Sequence, residues 1–194
     1  MTTHLSRWGE HGPRPQPLDH NAELFGAMVL TESIDAACSP PAAWALVADI
    51  ARIGEFSPEC VGTRWLDGAT GLAVGARFEG TNRVEYGEDE VVWIRLCTVT
   101  GLETGDRFSY TVGDRYDGTP ACEWEFLVAD RPGGCAITQT FRHLADGLSG
   151  LRVEADSRPD EAAEVIARRS SDLRAGMRQT LERMRGVLEP STSD

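Results

Sequence analysis

The sequence predicts an α+β domain in which a curved, seven-stranded antiparallel sheet wraps around one long C-terminal helix, with two short helices after strand 1. Three observations carry this expectation. Residues 60–143 divide into six strand-like segments separated by turn residues, and consecutive strands without helices between them pair as an antiparallel meander. A single strand and a short helical stretch precede that run. A long amphipathic segment follows it, and no other element is large enough to cover the concave face of such a sheet.

The first strand is expected over residues 25–34. CSPPAAWALVADIARIGEF follows, with Ser39 as a helix N-cap and prolines in the first turn, where a missing N–H costs nothing. Trp44, Val47 and Ala48 supply an apolar stripe at i, i+3 and i+4. A second short helix is expected around residues 50–56, ended by Ser57-Pro58. The six strands are expected near 60–67, 75–85, 89–101, 106–115, 120–129 and 134–143. Their breaks contain Asp67-Gly68, Gly87, Thr104-Gly105, Asp117-Gly118 and Pro132-Gly133-Gly134, all favourable in turns. Residues 144–156 read as a polar connection. The last helix is expected over 159–188, with Pro159, Asp160, Glu161 and Glu164 in its first turns and Arg183 and Arg185 near its end. Ile166, Leu173, Met177, Leu181, Met184 and Leu188 mark its buried face.

In domain terms, residues 1–24 read as a flexible or loosely docked arm rich in proline, 25–189 as one domain, and 190–194 as a tail. His4, His11 and His20 in the arm match no metal-ligand spacing. The net charge is −12, with 31 acidic residues against 19 basic ones. That balance speaks against nucleic acid, whose phosphates need a basic stripe, and against an anionic membrane surface. No window has the length of apolar sequence that membrane insertion requires. The basic residues are all arginine, which excludes Schiff-base chemistry on a lysine. Cys38, Cys60, Cys97, Cys122 and Cys135 are widely spaced, with no C-x-x-C. They read as reduced, mostly buried residues of a cytoplasmic protein.

The stretches SIDAACSPPAAWALVADIARIGEFSPEC and WLDGATGLAVGARFEGTNR resemble the SRPBCC superfamily, also called START-like or helix-grip proteins. WEF around Trp124 and the strand GGCAITQTF add to the likeness, which spans roughly residues 28–188. Within the superfamily the chain is similar to the actinobacterial polyketide cyclase/dehydrase and lipid-transport group. The resemblance implies an internal ligand cavity and no obligatory metal or cofactor. Its members include cyclases, carriers and receptors, so function has to be argued from the site.

Alternation along a strand sorts side chains between two faces. Phe78 and Asn82 share the expected interior with Ala76 and Gly80, and Gln139, Phe141 and His143 share it with Ile137. Phe108 goes with Tyr110 and Val112, and Trp124 with Phe126 and Val128. In VVWIRLCTV both faces are apolar. Placing Trp93 inward carries Arg95 inward too, and leaves Val92, Ile94 and Leu96 outside as a dimer contact or a seat for the arm. Phe56 and Met177 complete the ligand-facing set.

Each polar candidate has a structural alternative. Asn82 and Gln139 can satisfy strand groups instead of a ligand, Tyr110 can fill core, and His143 can be an ordinary histidine near the cavity mouth. An inward Arg95 requires a paired anion. The functional expectation is a hydrophobic, partly oxygenated small molecule (polyketide, lipid or isoprenoid-like) bound inside. If the protein is an enzyme, the resemblance implies cofactor-independent cyclisation or dehydration, with Arg95, Tyr110 and His143 as the catalytic set. The alternatives are a carrier or sensor with the same cavity, and a protein-interaction module using the exposed apolar sheet face.

Overall fold

A computed structural model describes residues 4–6, 14–86, 89–114 and 116–189. In chain order these form β1 (His4–Ser6), α1 (Ala22–Gly26), β2 (Val29–Ala36), α2 (Pro40–Val47), α3 (Ile53–Phe56), β3 (Cys60–Trp65) and β4 (Arg77–Tyr86). There follow β5 (Asp89–Glu103), β6 (Arg107–Gly113), β7 (Pro120–Arg131), β8 (Gly134–His143), α4 (Gly150–Ser157) and α5 (Ala162–Leu188). The sheet runs β2-β8-β7-β6-β5-β4-β3, antiparallel throughout, and β1 pairs in parallel with β5. This is the expected seven-stranded sheet around a long helix, with one short strand added.

Three local differences have physical reasons. Phe25, expected to open the first strand, lies in α1 and is fully buried against Ala155, Ala162 and Val165. The connection 144–156 contains α4, capped by the Ser149 hydroxyl, which accepts from the Arg152 N–H. Its polar appearance comes from Arg152, which tertiary partners bury completely. The last helix begins at Ala162, because Pro159–Glu161 forms a separate 3-10 turn. At 27 residues it is about 40 Å long.

Two successive glycines position the sheet's far end. Gly133 turns the β7–β8 hairpin at φ 85°, a conformation other residues adopt with strain. Gly134 pairs with Arg131 so close to β2 that a Cβ there would sit 2.0 Å from the Ala36 carbonyl oxygen.

The main core lies between α2, α3, the C-terminal half of α5 and the concave face, where Leu181 and Met184 meet Phe108, Phe126, Val128 and Ile137. Near the middle of α5, Met177 packs with Met28, Leu30 and Phe141. Glu32, also on the concave face, accepts from Arg174 and Arg178 of α5 and holds helix and sheet edge together. The N-terminal segment is tied down as well. Arg14 Nη2 is 3.0 Å from Asp114 Oδ2, whose side chain is fully buried, and Arg14 also donates to Asp117 and Thr119. Arg152 donates to Leu18 O and to both Asp156 oxygens, with its guanidinium 4.9 Å from the Phe25 ring centre.

Candidate functional site

Cross-strand register arranges the concave face in rows. Cys60, Asn82 and Trp93 form one row across β3, β4 and β5. Phe78, Cys97, Val112, Cys122 and His143 form another, and Val99, Tyr110, Trp124, Phe141 and Leu30 a third. A bulge between Val99 and Gly101 shifts the register so that Leu102, Phe108, Phe126, Gln139 and Glu32 make a fourth.

This resolves the ambiguous strand. Cys97 and Val99 belong to the buried core, so Trp93 and Arg95 share the concave face, and Val92, Ile94 and Leu96 point outward, half-buried. Arg95 stands opposite Gly80, where no side chain competes for space. Its Nη1 donates to Ile94 O at 3.1 Å. Its positive charge also acts on the Cys97 and Cys122 thiols, favouring their ionised forms.

The predicted ligand-facing residues separate into two groups. Phe56, Phe78, Phe108, Phe126, Phe141 and Met177 are buried and packed against one another or α5; Phe108 and Phe126, for example, stack 5.5 Å apart. Asn82, Trp93, Arg95, Tyr110 and Trp124 lie on the same concave face but keep accessible surface. A close-packed interface would have removed it. Tyr110 and Trp124 also pack edge-on against Phe78 and Phe141, whereas Asn82, Trp93 and Arg95 lie half-buried toward the β3–β5 side of the sheet.

This part of the concave face is rich in aromatic and thiol side chains, with few polar groups. Burial raises the Tyr110 phenol well above its ordinary range, with further upward contributions from Cys97, Cys60 and Cys122 around it. Tyr110 is thus a protonated donor at neutral pH. Burial also pushes the Cys122 thiol up to about 12, despite the opposing charges of Arg95 and Arg169, which leaves it a neutral wall group. Asn82 donates to Gly80 O at a long 3.4 Å. Gln139 is 6% exposed, and its Oε1 is buried without a hydrogen-bond partner.

His143 has a different setting. Its Nδ1 lies 2.8 Å from Leu144 O, which can only accept, so Nδ1 carries the proton. Nε2, 2.8 Å from the Ser149 hydroxyl, then accepts. Phe25 covers the ring at 4.4 Å between centroids. Burial depresses the imidazole to about 4, so both nitrogens are engaged in holding α4 and the ring stays neutral.

One feature of the rim is not conspicuous in the sequence. Arg169 of α5 donates from Nη2 to both Glu59 oxygens, at 3.0 and 2.8 Å, bridging the helix to the turn before β3. The Ser57 hydroxyl shapes that turn by accepting from the N–H groups of Glu59 and Cys60. The available signal was Arg169 falling four residues before Leu173, on the helix face that meets the sheet. Among the described residues, no group of three or more histidine, cysteine, aspartate or glutamate side chains could hold a metal ion. Among them too, no helix is long and apolar enough to cross a membrane.

A long helix gripped by a curved antiparallel sheet defines the helix-grip class. The sequence matches the family described as "Polyketide cyclase / dehydrase and lipid transport" over residues 28–189, and the chain belongs to that family. No curated protein matches it. Among solved structures it is similar to the polyketide-cyclase-like protein Cgl2372 from Corynebacterium glutamicum. The two are 28% identical, over 83% of this chain and 91% of that one, with a TM-score of 0.58. The di-domain ARO/CYC StfQ from the steffimycin biosynthetic pathway shares the fold at 13% identity and a TM-score of 0.62, over 87% of this chain and 53% of that one. An AHSA1-like protein from Aeromonas hydrophila does so at 19% identity and a TM-score of 0.53, over 86% and 99%.

Proposed function

We propose that a hollow between the β3–β6 side of the sheet and α5 binds a hydrophobic, partly oxygenated small molecule of polyketide, lipid or isoprenoid type. The observation that carries this reading is the accessible surface kept by Asn82, Trp93, Arg95, Tyr110 and Trp124 on a concave face that is elsewhere solidly packed. Such a wall suits a ligand that is mostly apolar with one or two oxygens, because a few placed polar groups in an apolar lining set orientation. Arg95 and the Tyr110 hydroxyl are the donors for those oxygens, and Trp93 and Trp124 provide stacking surface. Membership of a family that includes cyclases and lipid-transport proteins supports the same ligand class.

A catalytic reading rests on one observation, that Arg95 and Tyr110 share the concave face of the adjacent strands β5 and β6. Arg95 would stabilise a developing enolate oxygen and Tyr110 would supply a proton during cyclisation or dehydration. Folding a reactive chain against the aromatic wall would contribute through positioning. The His143 ring, engaged on both sides, serves as a positioning group for α4 in this scheme.

Native mass spectrometry of the purified chain, followed by denaturing extraction, tests the binding reading. A co-purifying oxygenated apolar molecule that is lost in an Arg95→Met, Tyr110→Phe double variant is the expected result. A chain that stays empty on incubation with a panel of hydroxylated polycyclic aromatics and fatty acids contradicts it.

A further inference from the structure

Two cysteines meet where β2 ends and β8 begins, beside the C-terminal end of α5. Cys38 sits between β2 and α2, next to the Ser39 cap, and Cys135 is the second residue of β8. Their sulfurs are 3.6 Å apart, although 97 residues separate them in sequence. A disulfide needs about 2.05 Å between sulfurs, so a side-chain adjustment of about 1.5 Å closes the bond. Both residues are on well-held elements. Cys135 pairs with Ala36 of β2 and Asp130 of β7, and Ala37, adjacent to Cys38, donates its N–H to Glu189 at the end of α5.

The two thiols are not equivalent. Cys135 is 1% exposed, whereas Cys38 is half-buried and meets solvent. Burial and the neighbouring sulfur push the Cys135 thiol up to about 11. Cys135, with Ala36, Ala37, Arg131, Gly133 and Glu189, also lines an open depression of 550 Å3, which gives a small molecule a route to this corner from the Cys135 side, while Cys38 is reached from the half-buried surface.

We infer that Cys38 and Cys135 form a peroxide-responsive dithiol, in which Cys38 is the residue oxidised first and Cys135 the residue that resolves it. The Cys38 thiolate attacks one oxygen of hydrogen peroxide; an S–O bond forms, the O–O bond breaks and the second oxygen leaves as water after taking the Cys38 proton. The Cys135 sulfur then attacks the Cys38 sulfenic acid. An S–S bond forms, the S–O bond breaks, and hydroxide leaves as water with the Cys135 proton. The two thiols lose two electrons and two protons, and one peroxide becomes two waters. The product fastens the β2–α2 corner to β8 beside the point where α5 ends. This inference is independent of what the hollow binds.

The test is a hydrogen peroxide titration of the full chain, quenched with iodoacetamide in denaturant and mapped by peptide mass spectrometry. The expected result is a 38–135 linked peptide two hydrogens lighter than its parts, loss of two alkylation sites, and recovery of both with dithiothreitol. In Cys135→Ala, which keeps a small apolar side chain in the core, Cys38 should instead advance to sulfinic acid. Sulfinic acid at Cys38 of the unaltered chain without the linked peptide overturns the inference. So does linkage among Cys60, Cys97 and Cys122 in preference to this pair.

Discussion

Replacing His143 with glutamine should flatten the acid limb of the protein's stability curve. The imidazole titrates near 6.5 in an unfolded chain and near 4 in the fold, where burial opposes its charging. Because the folded pKa is depressed, the unfolded state binds the extra proton as pH falls through this window. Stability is therefore fully present above about pH 6.5 and is lost progressively toward pH 4. With those two values the His143 contribution falls by about 2 kcal/mol between pH 7 and pH 4.5, and by about 3 kcal/mol in total below pH 4. Glutamine can still donate to Leu144 O but does not titrate. It should cost about 1 to 2 kcal/mol at pH 7 through imperfect hydrogen bonds, and much less at pH 4.5. Asp156, whose pKa the fold lowers through Asn21, Leu18 and Arg152 against the opposing effect of burial, also weakens the fold in acid. It does so in both proteins and drops out of the comparison. Urea unfolding at the two pH values measures the difference directly. Parallel losses in the two proteins, within about 0.5 kcal/mol, would refute the assignment of a neutral, buried imidazole.

Asp156→Ala should destabilise the fold by about 3 to 5 kcal/mol, because it strands the buried Arg152 guanidinium; urea unfolding at pH 7 reads this. Gly134→Ala should cost about 2 kcal/mol or more, since its Cβ meets the Ala36 carbonyl and must push β2 from β8, and a thermal melt checks it. Glu59→Gln should change stability by less than about 1 kcal/mol, the pair being part-exposed. Stopped-flow kinetics on a bound hydroxylated anthraquinone should nevertheless show release several-fold faster, as the link between α5 and the turn before β3 is weakened.

The strand succession was legible because turn residues punctuate it at short intervals and the final helix has a sustained apolar stripe. The Asp89–Glu103 strand was half legible. Its two apolar faces hid its orientation, which only the core positions of Cys97 and Val99 and the gap at Gly80 resolve. Phe25 and α4 were missed for a shared reason. An arginine buried by Asp156, Ala145 O and Leu18 O looks like a surface residue until distant segments meet it. Parity found the inward faces of the last strands, including His143. It could not say that Leu144 O and Ser149 would occupy both ring nitrogens, since those contacts depend on a loop closing over the ring. Nor does alternation distinguish an inward aromatic that is fully buried, such as Phe126, from one that stays half-buried, such as Trp93. That difference depends on where α5 stands away from the sheet.

The central claim is that this space holds a ligand, and the most direct measurement is the response of individual tryptophan indole N–H signals in a 1H–15N spectrum. Signals would be assigned with single Trp→Phe variants, and the full chain titrated with a hydroxylated anthraquinone and, separately, a long-chain fatty acid. Saturable shifts of Trp93 and Trp124 are expected with at least one of them, while Trp44, packed edge-on against Phe108 in the core, moves little. Trp93 and Trp124 signals unmoved by either ligand, or shifts that never saturate, would contradict it.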